Sequence, residues 1–194
     1  SGTWPARCAR PSGMTISVRA YQPEKKIEGV VEISGRLQEA SDVPVVSAGG
    51  VVSAVSFDGG AQGPGSYIAI FGQRLSEGLG VASSLPLQFK MKGTEVFMCG
   101  RTIPLLFTSE SQVNALIPFE LKTNGTHQLI VRRGHCMSVP QPLEILVARP
   151  AVFSVDGSGK GQGHVYRVGA SGELVLAQPG APVAAGDSIV LYAS

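Results

Sequence analysis

Short stretches of apolar or alternating apolar and polar residues recur along the chain at intervals of about eight to twelve residues. Clear examples are residues 66–71, 94–98, 112–117 and 126–131. Clusters of glycine, proline and small polar residues separate the stretches, as expected for turns. No segment sustains the 3.6-residue period of an amphipathic helix. The pattern therefore predicts an all-β protein.

The predicted strands fall into three groups. Residues 1–46 contain two runs, at 14–18 and 27–33, that predict a β-hairpin. Residues 47–148 contain a regular series of strands and turns, which is typical of a β-sandwich. Its members include predicted strands at residues 51–57, 87–91 and 103–107, while the small residues at 44–50 indicate a linker. Residues 149–194 begin a second series and predict a partial β domain.

An internal repeat links the last two groups. Residues 65–71 (GSYIAIF) resemble residues 186–192 (GDSIVLY), with an offset of 121 positions. Each copy follows a turn of small residues that contains proline, at Pro64 and Pro182, and each ends on an aromatic residue. The repeat predicts the same strand in two related domains. Because the second copy is followed by only two residues, we expect the chain to end inside that domain.

Composition and charge exclude several classes of protein. Hydrophobic residues make up 43% of the chain and charged residues 15%, with 25 glycines, 13 prolines and a net charge of +2. The chain is too apolar for a disordered protein and too evenly charged for binding to nucleic acid through its phosphates. The longest weakly polar run, residues 43–57, is shorter than the 20 or so residues of a membrane-spanning helix. We expect neither a nucleic-acid partner nor a membrane span.

Several segments, taken in order, resemble one bacterial family, the Solibacter-type uncharacterised C-terminal domain of exported acidobacterial proteins. The resemblance covers about residues 50–194 and leaves residues 1–46 outside. It rests on residues 51–57, 64–72, 84–87, 100–105, 111–114, 117–120, 150–153, 161–163 and 189–193.

The resemblance implies an architecture and a location rather than a reaction. The family's strand pattern is similar to the IPT/TIG branch of immunoglobulin-like β-sandwiches, and no activity is established for it. It implies an exported bacterial protein that is extracellular or lies at the cell surface. The chain departs from the family pattern at Cys99 and Cys136 and in lacking the last strands of the second domain.

The three cysteines allow at most one intramolecular disulfide. Cys99 follows the predicted strand 94–98, and Cys136 follows the predicted strand 126–131. If these strands run in the same direction, the two turns lie at one end of the sandwich, and the cysteines either form a disulfide or stay reduced. Cys8 would then be the remaining thiol, suited to an intermolecular bond.

No motif for catalysis, a metal or a cofactor is evident. The loop at residues 157–161 lacks the spacing of a phosphate-binding loop and predicts a flexible β-loop. The histidines show no metal-ligand spacing with one another or with cysteine. The adjacent His135 and Cys136 are predicted to be solvated turn residues, and the aromatic residues form no stripe along a strand. The histidines are His127, His135 and His164.

The predicted function is that of a non-catalytic structural or adhesive module. Incomplete immunoglobulin-like segments at both ends expose strand edges, so the N-terminal hairpin is expected to complete the C-terminal half. This completion takes place within one chain or head to tail between chains, which would build a filament or surface layer. If instead the chain is a fragment, its partners are neighbouring domains of one exported protein. The alternative function is a carbohydrate- or surface-binding accessory module, with a polysaccharide as ligand.

Overall fold

The computed structural model describes residues 14–22, 27–35 and 42–194. The chain divides into two compact units, Ser1–Val43 and Pro44–Ser194. The described residues form β-strands and no helix, which confirms the all-β prediction. Within these residues, no helix is long and apolar enough to cross a membrane.

The first unit contains an antiparallel hairpin. It consists of β1 (Met14–Gln22) and β2 (Ile27–Gly35), each nine residues long. The pairing runs without a break from Met14 opposite Gly35 to Gln22 opposite Ile27. The predicted hairpin is confirmed, with longer strands than the apolar pattern indicated.

The second unit contains the other strands, in three antiparallel sheets. In chain order they are β3 (Val45–Ser53), β4 (Tyr67–Gln73), β5 (Gly80–Val81), β6 (Thr94–Met98), β7 (Arg101–Ile103), β8 (Leu105–Thr108), β9 (Gln112–Leu116), β10 (Gly125–Arg133), β11 (Cys136–Met137), β12 (Gln141–Ile145), β13 (Val165–Val168), β14 (Leu174–Leu176) and β15 (Ile189–Leu191). Sheet A has the order β3-β4-β9-β8-β5. In sheet B, β10 pairs with β6, β11 and β12, and β6 also pairs with β7. Sheet C has the order β14-β13-β15.

Sheets A and B share one hydrophobic core, as the two layers of a β-sandwich do. Alternate residues of β6 and β9 are buried, so one face of each strand points into the core. Buried members from sheet A and sheet B contribute about equally. The core consists of Val46, Ile68, Ile70, Leu75, Met91, Val96, Met98, Ile103, Leu105, Val113, Ala115, Ile117, Leu129, Val131, Leu143 and Ile145.

The predicted strand at 103–107 is divided between the two layers. Ile103 ends β7 in sheet B, and Leu105 begins β8 in sheet A. Pro104 lies between them and has no backbone N–H to donate to a ladder. Proline therefore occupies the residue at which the chain crosses from one sheet to the other.

Two further predictions need correction. The predicted linker at 44–50 is instead the first part of β3, which pairs with β4 on both sides of an irregularity between Val46 and Val51. The predicted strand at 87–91 forms only an isolated bridge at Met91. Its alternating pattern is misleading, because Phe89 remains 51% exposed and the segment contacts sheet A through the Gln88 carbonyl, which accepts from Leu105 N–H at 2.8 Å.

The two copies of the internal repeat begin with the same turn. Ser66 N–H donates to the Gly63 carbonyl at 3.2 Å, and Asp187 N–H donates to the Ala184 carbonyl at 3.1 Å. These pairs are related by the offset of 121 positions. The glycine before each donor has a positive φ, 79° and 95°, where a side chain would be strained. The resemblance between the two segments therefore extends from sequence to backbone conformation.

Candidate functional site

In sheet C, unlike in the sandwich, several apolar side chains are exposed to solvent. Its strands contain exposed Leu174, Ile189 and Leu191, and Tyr192 directly after β15 is also exposed. In residues 149–194 the single buried residue is Ser154, a polar one. The sheet therefore has apolar side chains without a core of its own.

Among the strands that the structure describes, β14 and β15 each pair with β13 alone. Val168 N–H donates to Ser188 O at 2.9 Å and Tyr192 N–H donates to His164 O at 3.0 Å. Because hydrogen-bonded pairs alternate along an antiparallel ladder, the N–H groups of Ile189 and Leu191 point away from β13. These amides and the apolar side chains beside them define what we name the open edge, residues 189–191 of β15.

An aromatic cluster occupies one face of sheet C. His164 and Tyr166 are stacked with ring centroids 5.9 Å apart, and Tyr192 meets them edge-on at 6.2 Å and 5.8 Å. The Tyr166 hydroxyl lies 2.8 Å from His164 Nδ1. This cluster was not predicted from the sequence, because Tyr192 is far from the other two residues in the chain and joins them only through the pairing of β13 with β15.

A cavity of about 310 Å³ lies between the sandwich and the loop at residues 157–161, which we call the glycine loop. Ser53, Arg149 and Lys160 are among the cavity's lining residues. Arg149 Nη1 donates to the carbonyls of Gly59 and Ala61. Its guanidinium therefore connects the segment after β12 to the turn after β3.

The backbone amides of the glycine loop donate hydrogen bonds to nearby serine side chains. Gly159 N–H donates to Ser154 Oγ at 2.7 Å, and the N–H groups of Lys160 and Gly161 both donate to Ser158 Oγ at 3.1 Å. Hydrogen bonds from Ser158 N–H and Oγ–H to Asp156 lower the pKa of that carboxyl. A phosphate-binding loop directs its amides at the ligand instead, so the geometry is that of a β-loop.

The predicted bridge between Cys99 and Cys136 is not formed. Strands β6 and β10 are antiparallel neighbours, with Met98 opposite Leu129 and Thr94 opposite Arg133. Cys136 lies opposite Arg133, so the two cysteines are at opposite ends of this pair. Five residues of strand separate them, about 17 Å, whereas a disulfide joins Cα atoms about 4.4–6.8 Å apart. Cys99 is a free, exposed cysteine, and the predicted role of Cys8 falls outside the described residues.

The antiparallel pairing instead brings Cys99 next to a histidine. Cys99 Sγ lies 2.8 Å from His127 Nδ1, and His127 Nε2 lies 2.6 Å from the Lys122 carbonyl oxygen. His127 lies on β10, within the strand predicted at residues 126–131. The two side chains are 28 positions apart; no local motif joins them.

The described residues contain no group of three or more His, Cys, Asp or Glu side chains that could hold a metal ion. No family model matches the chain, and no curated protein matches it by sequence. Membership of the Solibacter-type family therefore stays a prediction.

Proposed function

We propose that this chain is a structural or adhesive β-sandwich module of the immunoglobulin-like IPT/TIG class, without catalytic activity. It assembles by adding a strand at the open edge. The donor is the β1–β2 hairpin of another copy, so that the contact is head to tail and repeats along a filament or surface layer. In this proposal the module is an exported bacterial protein that acts outside the cell or at its surface.

The observation that carries the proposal is the contrast between the two copies of the repeat. Ile68 and Ile70 in the first copy are fully buried, whereas their equivalents Ile189 and Leu191 are 53% and 49% exposed. Complete burial of such a side chain stabilises by about 1.5–3 kcal/mol. Covering the second copy as the first is covered would thus add roughly 1 kcal/mol for each of the two side chains.

The β1–β2 hairpin would also gain stability from this contact. An isolated two-stranded hairpin is marginally stable in water, and the outer sides of β1 and β2 have backbone groups outside their shared ladder. Strand addition satisfies backbone donors and acceptors on both partners at once. One contact would therefore satisfy backbone groups of both the hairpin and the open edge.

The direct test is light scattering after size-exclusion chromatography, over a series of protein concentrations, with negative-stain microscopy of the same fractions. We expect the molar mass to rise with concentration and short filaments to be visible. The double variant Ile189→Lys/Leu191→Lys places two charges at the open edge and is expected to be monomeric.

The matched control is Leu79→Lys/Leu85→Lys, which charges two exposed leucines elsewhere in the second unit and should assemble like the parent. Circular dichroism of all three proteins shows that each is folded. A parent that stays monomeric at every concentration, or equal assembly by the two double variants, refutes strand addition at the open edge.

The aromatic cluster favours a second candidate function, binding of a carbohydrate. Tyr192 is 48% exposed and meets two further rings, and exposed aromatic faces stack on sugar rings through their apolar surface. Affinity electrophoresis in gels that contain soluble β-glucan tests this function. We expect the parent to be retarded and Tyr192→Ala to lose the retardation, while Phe119→Ala, at another exposed aromatic residue, retains it. Equal mobility with and without β-glucan excludes binding of this polysaccharide.

A further inference from the structure

The pair of Cys99 and His127 has the geometry of an activated nucleophile. A thiol and an imidazole lie within hydrogen-bond distance, at 2.8 Å, and the other ring nitrogen contacts a third group, the Lys122 carbonyl oxygen. Nucleophilic cysteines are recognised by this arrangement of nucleophile, base and orienting group. The pair lies in sheet B, apart from the open edge in sheet C, and the proposed assembly does not use it.

The third group determines which nitrogen of His127 carries the proton. A carbonyl oxygen only accepts hydrogen bonds, so the contact of 2.6 Å requires His127 Nε2–H to donate to the Lys122 carbonyl. In the neutral ring, Nδ1 then has no proton, and its lone pair can accept a hydrogen bond from the Cys99 thiol. His127 is therefore held as a base toward Cys99 Sγ, and once protonated it donates to the thiolate.

The position of Cys99 leaves its sulfur accessible. Cys99 and Gly100 form the two-residue turn between β6 and β7 and have φ values of 53° and 73°. Such turns favour asparagine, aspartate or glycine, and the left-handed conformation costs another residue about 1–2 kcal/mol. The turn conformation alone therefore does not account for a cysteine here. The thiol is exposed at the tip of a hairpin, where a large or a small partner can approach it.

We propose that Cys99 is a site of thiol–disulfide exchange, with His127 as its base. His127 Nδ1 takes the thiol proton while the Cys99 sulfur attacks one sulfur of a disulfide R–S–S–R. The Cys99–S–S–R bond forms, the S–S bond of the partner breaks, and the leaving thiolate takes the proton from His127. The products are the mixed disulfide and R–SH. The incoming disulfide is the oxidant, so no other redox reagent is required.

The ligand class is an accessible disulfide, either of a small molecule or of another protein. Because Cys99 is exposed at the tip of a hairpin, we expect its partners to be selected by reactivity rather than by the shape of R. We expect small disulfides such as oxidised glutathione to react. A second copy of this chain that bears a mixed disulfide at Cys99 can react in the same way and give a Cys99–Cys99 linked dimer.

The test is the rate at which Cys99 forms a mixed disulfide with oxidised glutathione between pH 6 and pH 8. Cleavage after Lys92 and Arg101 releases peptide 93–101, in which Cys99 is the sole cysteine. Mass spectrometry of this peptide therefore reports on the site directly. A linked pair of 93–101 peptides identifies the second source, exchange between two copies.

An ordinary thiol is only a few per cent thiolate at pH 7, so we expect His127→Ala to slow the reaction about tenfold at that pH. The variant rate should rise more steeply with pH than the parent rate, because only the parent has His127 to remove the thiol proton. His135→Ala, at an exposed histidine away from Cys99, is the matched control and should react like the parent. Equal rates and equal pH slopes for the parent and His127→Ala overturn the proposal, as does a parent that leaves Cys99 unmodified.

Discussion

Two buried threonines provide an internal comparison of what a hydroxyl contributes to this sandwich. Thr94 on β6 and Thr108 on β8 are both fully buried. Thr94 Oγ1 donates to the Leu75 carbonyl at 2.9 Å, whereas Thr108 Oγ1 has no hydrogen-bond partner within the part of the chain that the structure describes. Valine has nearly the same shape as threonine, so Thr94→Val and Thr108→Val change the hydroxyl without opening a cavity.

The two variants are expected to differ in sign. In Thr94→Val the buried Leu75 carbonyl loses its donor, and an unsatisfied buried group costs about 1–3 kcal/mol. In Thr108→Val a buried hydroxyl without a partner is replaced by a methyl group, which removes a desolvation cost of about 1–3 kcal/mol. We therefore expect Thr94→Val to be destabilised and Thr108→Val to be as stable as the parent or more stable.

Urea unfolding monitored by circular dichroism measures both free energies. The expected result is a lower midpoint for Thr94→Val, an equal or higher midpoint for Thr108→Val, and the same dependence on urea in all three proteins. If Thr108→Val loses as much stability as Thr94→Val, the hydroxyl of Thr108 has a partner in solution and the reasoning from unsatisfied groups is wrong.

Two further predictions concern a close backbone contact and an exposed carboxyl. A Cβ at Gly72 would lie 2.1 Å from the Val45 carbonyl oxygen, so Gly72→Ala should lower the unfolding free energy by about 1–3 kcal/mol. At Gly78 a Cβ would have no atom within 4 Å, so Gly78→Ala should change that free energy by less than about 0.5 kcal/mol. Hydrogen bonds from Ser158 hold the pKa of Asp156 below its usual 3.8. Their contribution to folding stability is therefore present above the usual pKa and is lost as the pH falls through the folded-state pKa. In an NMR titration Ser158→Ala should raise that pKa part of the way to 3.8, since the backbone N–H bond remains; an unchanged pKa contradicts this assignment.

The strands that the sequence predicted best are those with one buried face. For β6 the predicted and observed bounds agree, and for β9 and β10 they differ by one or two residues at an end. Burial on one side produces the alternation that the prediction detects. The early part of β3 was missed because small residues joined to β4 by backbone hydrogen bonds leave no such pattern. Residues in the early part of β3 belong to the sheet because they pair with β4.

The candidate sites depended on strand direction, which the local sequence does not encode. The predicted bridge between Cys99 and Cys136 assumed that β6 and β10 run the same way. Their antiparallel register separates these cysteines and places Cys99 beside His127 instead. Both the missed pair and the incorrect bridge therefore have one cause, the pairing of two strands that are far apart in the chain.

The internal repeat separates what local sequence determines from what surroundings determine. Both copies form the same glycine turn and continue into a strand, so these features follow from the few residues involved. Burial does not follow from these residues: β4 lies between β3 and β9 under a second sheet, whereas β15, among the described strands, pairs with β13 alone. A segment whose equivalent is a central strand is thus left at an edge with its apolar side chains exposed. Since the first copy shows the surroundings that such a strand occupies when covered, the second copy defines what a binding partner at residues 189–191 has to provide: a strand on the free edge and apolar side chains over it.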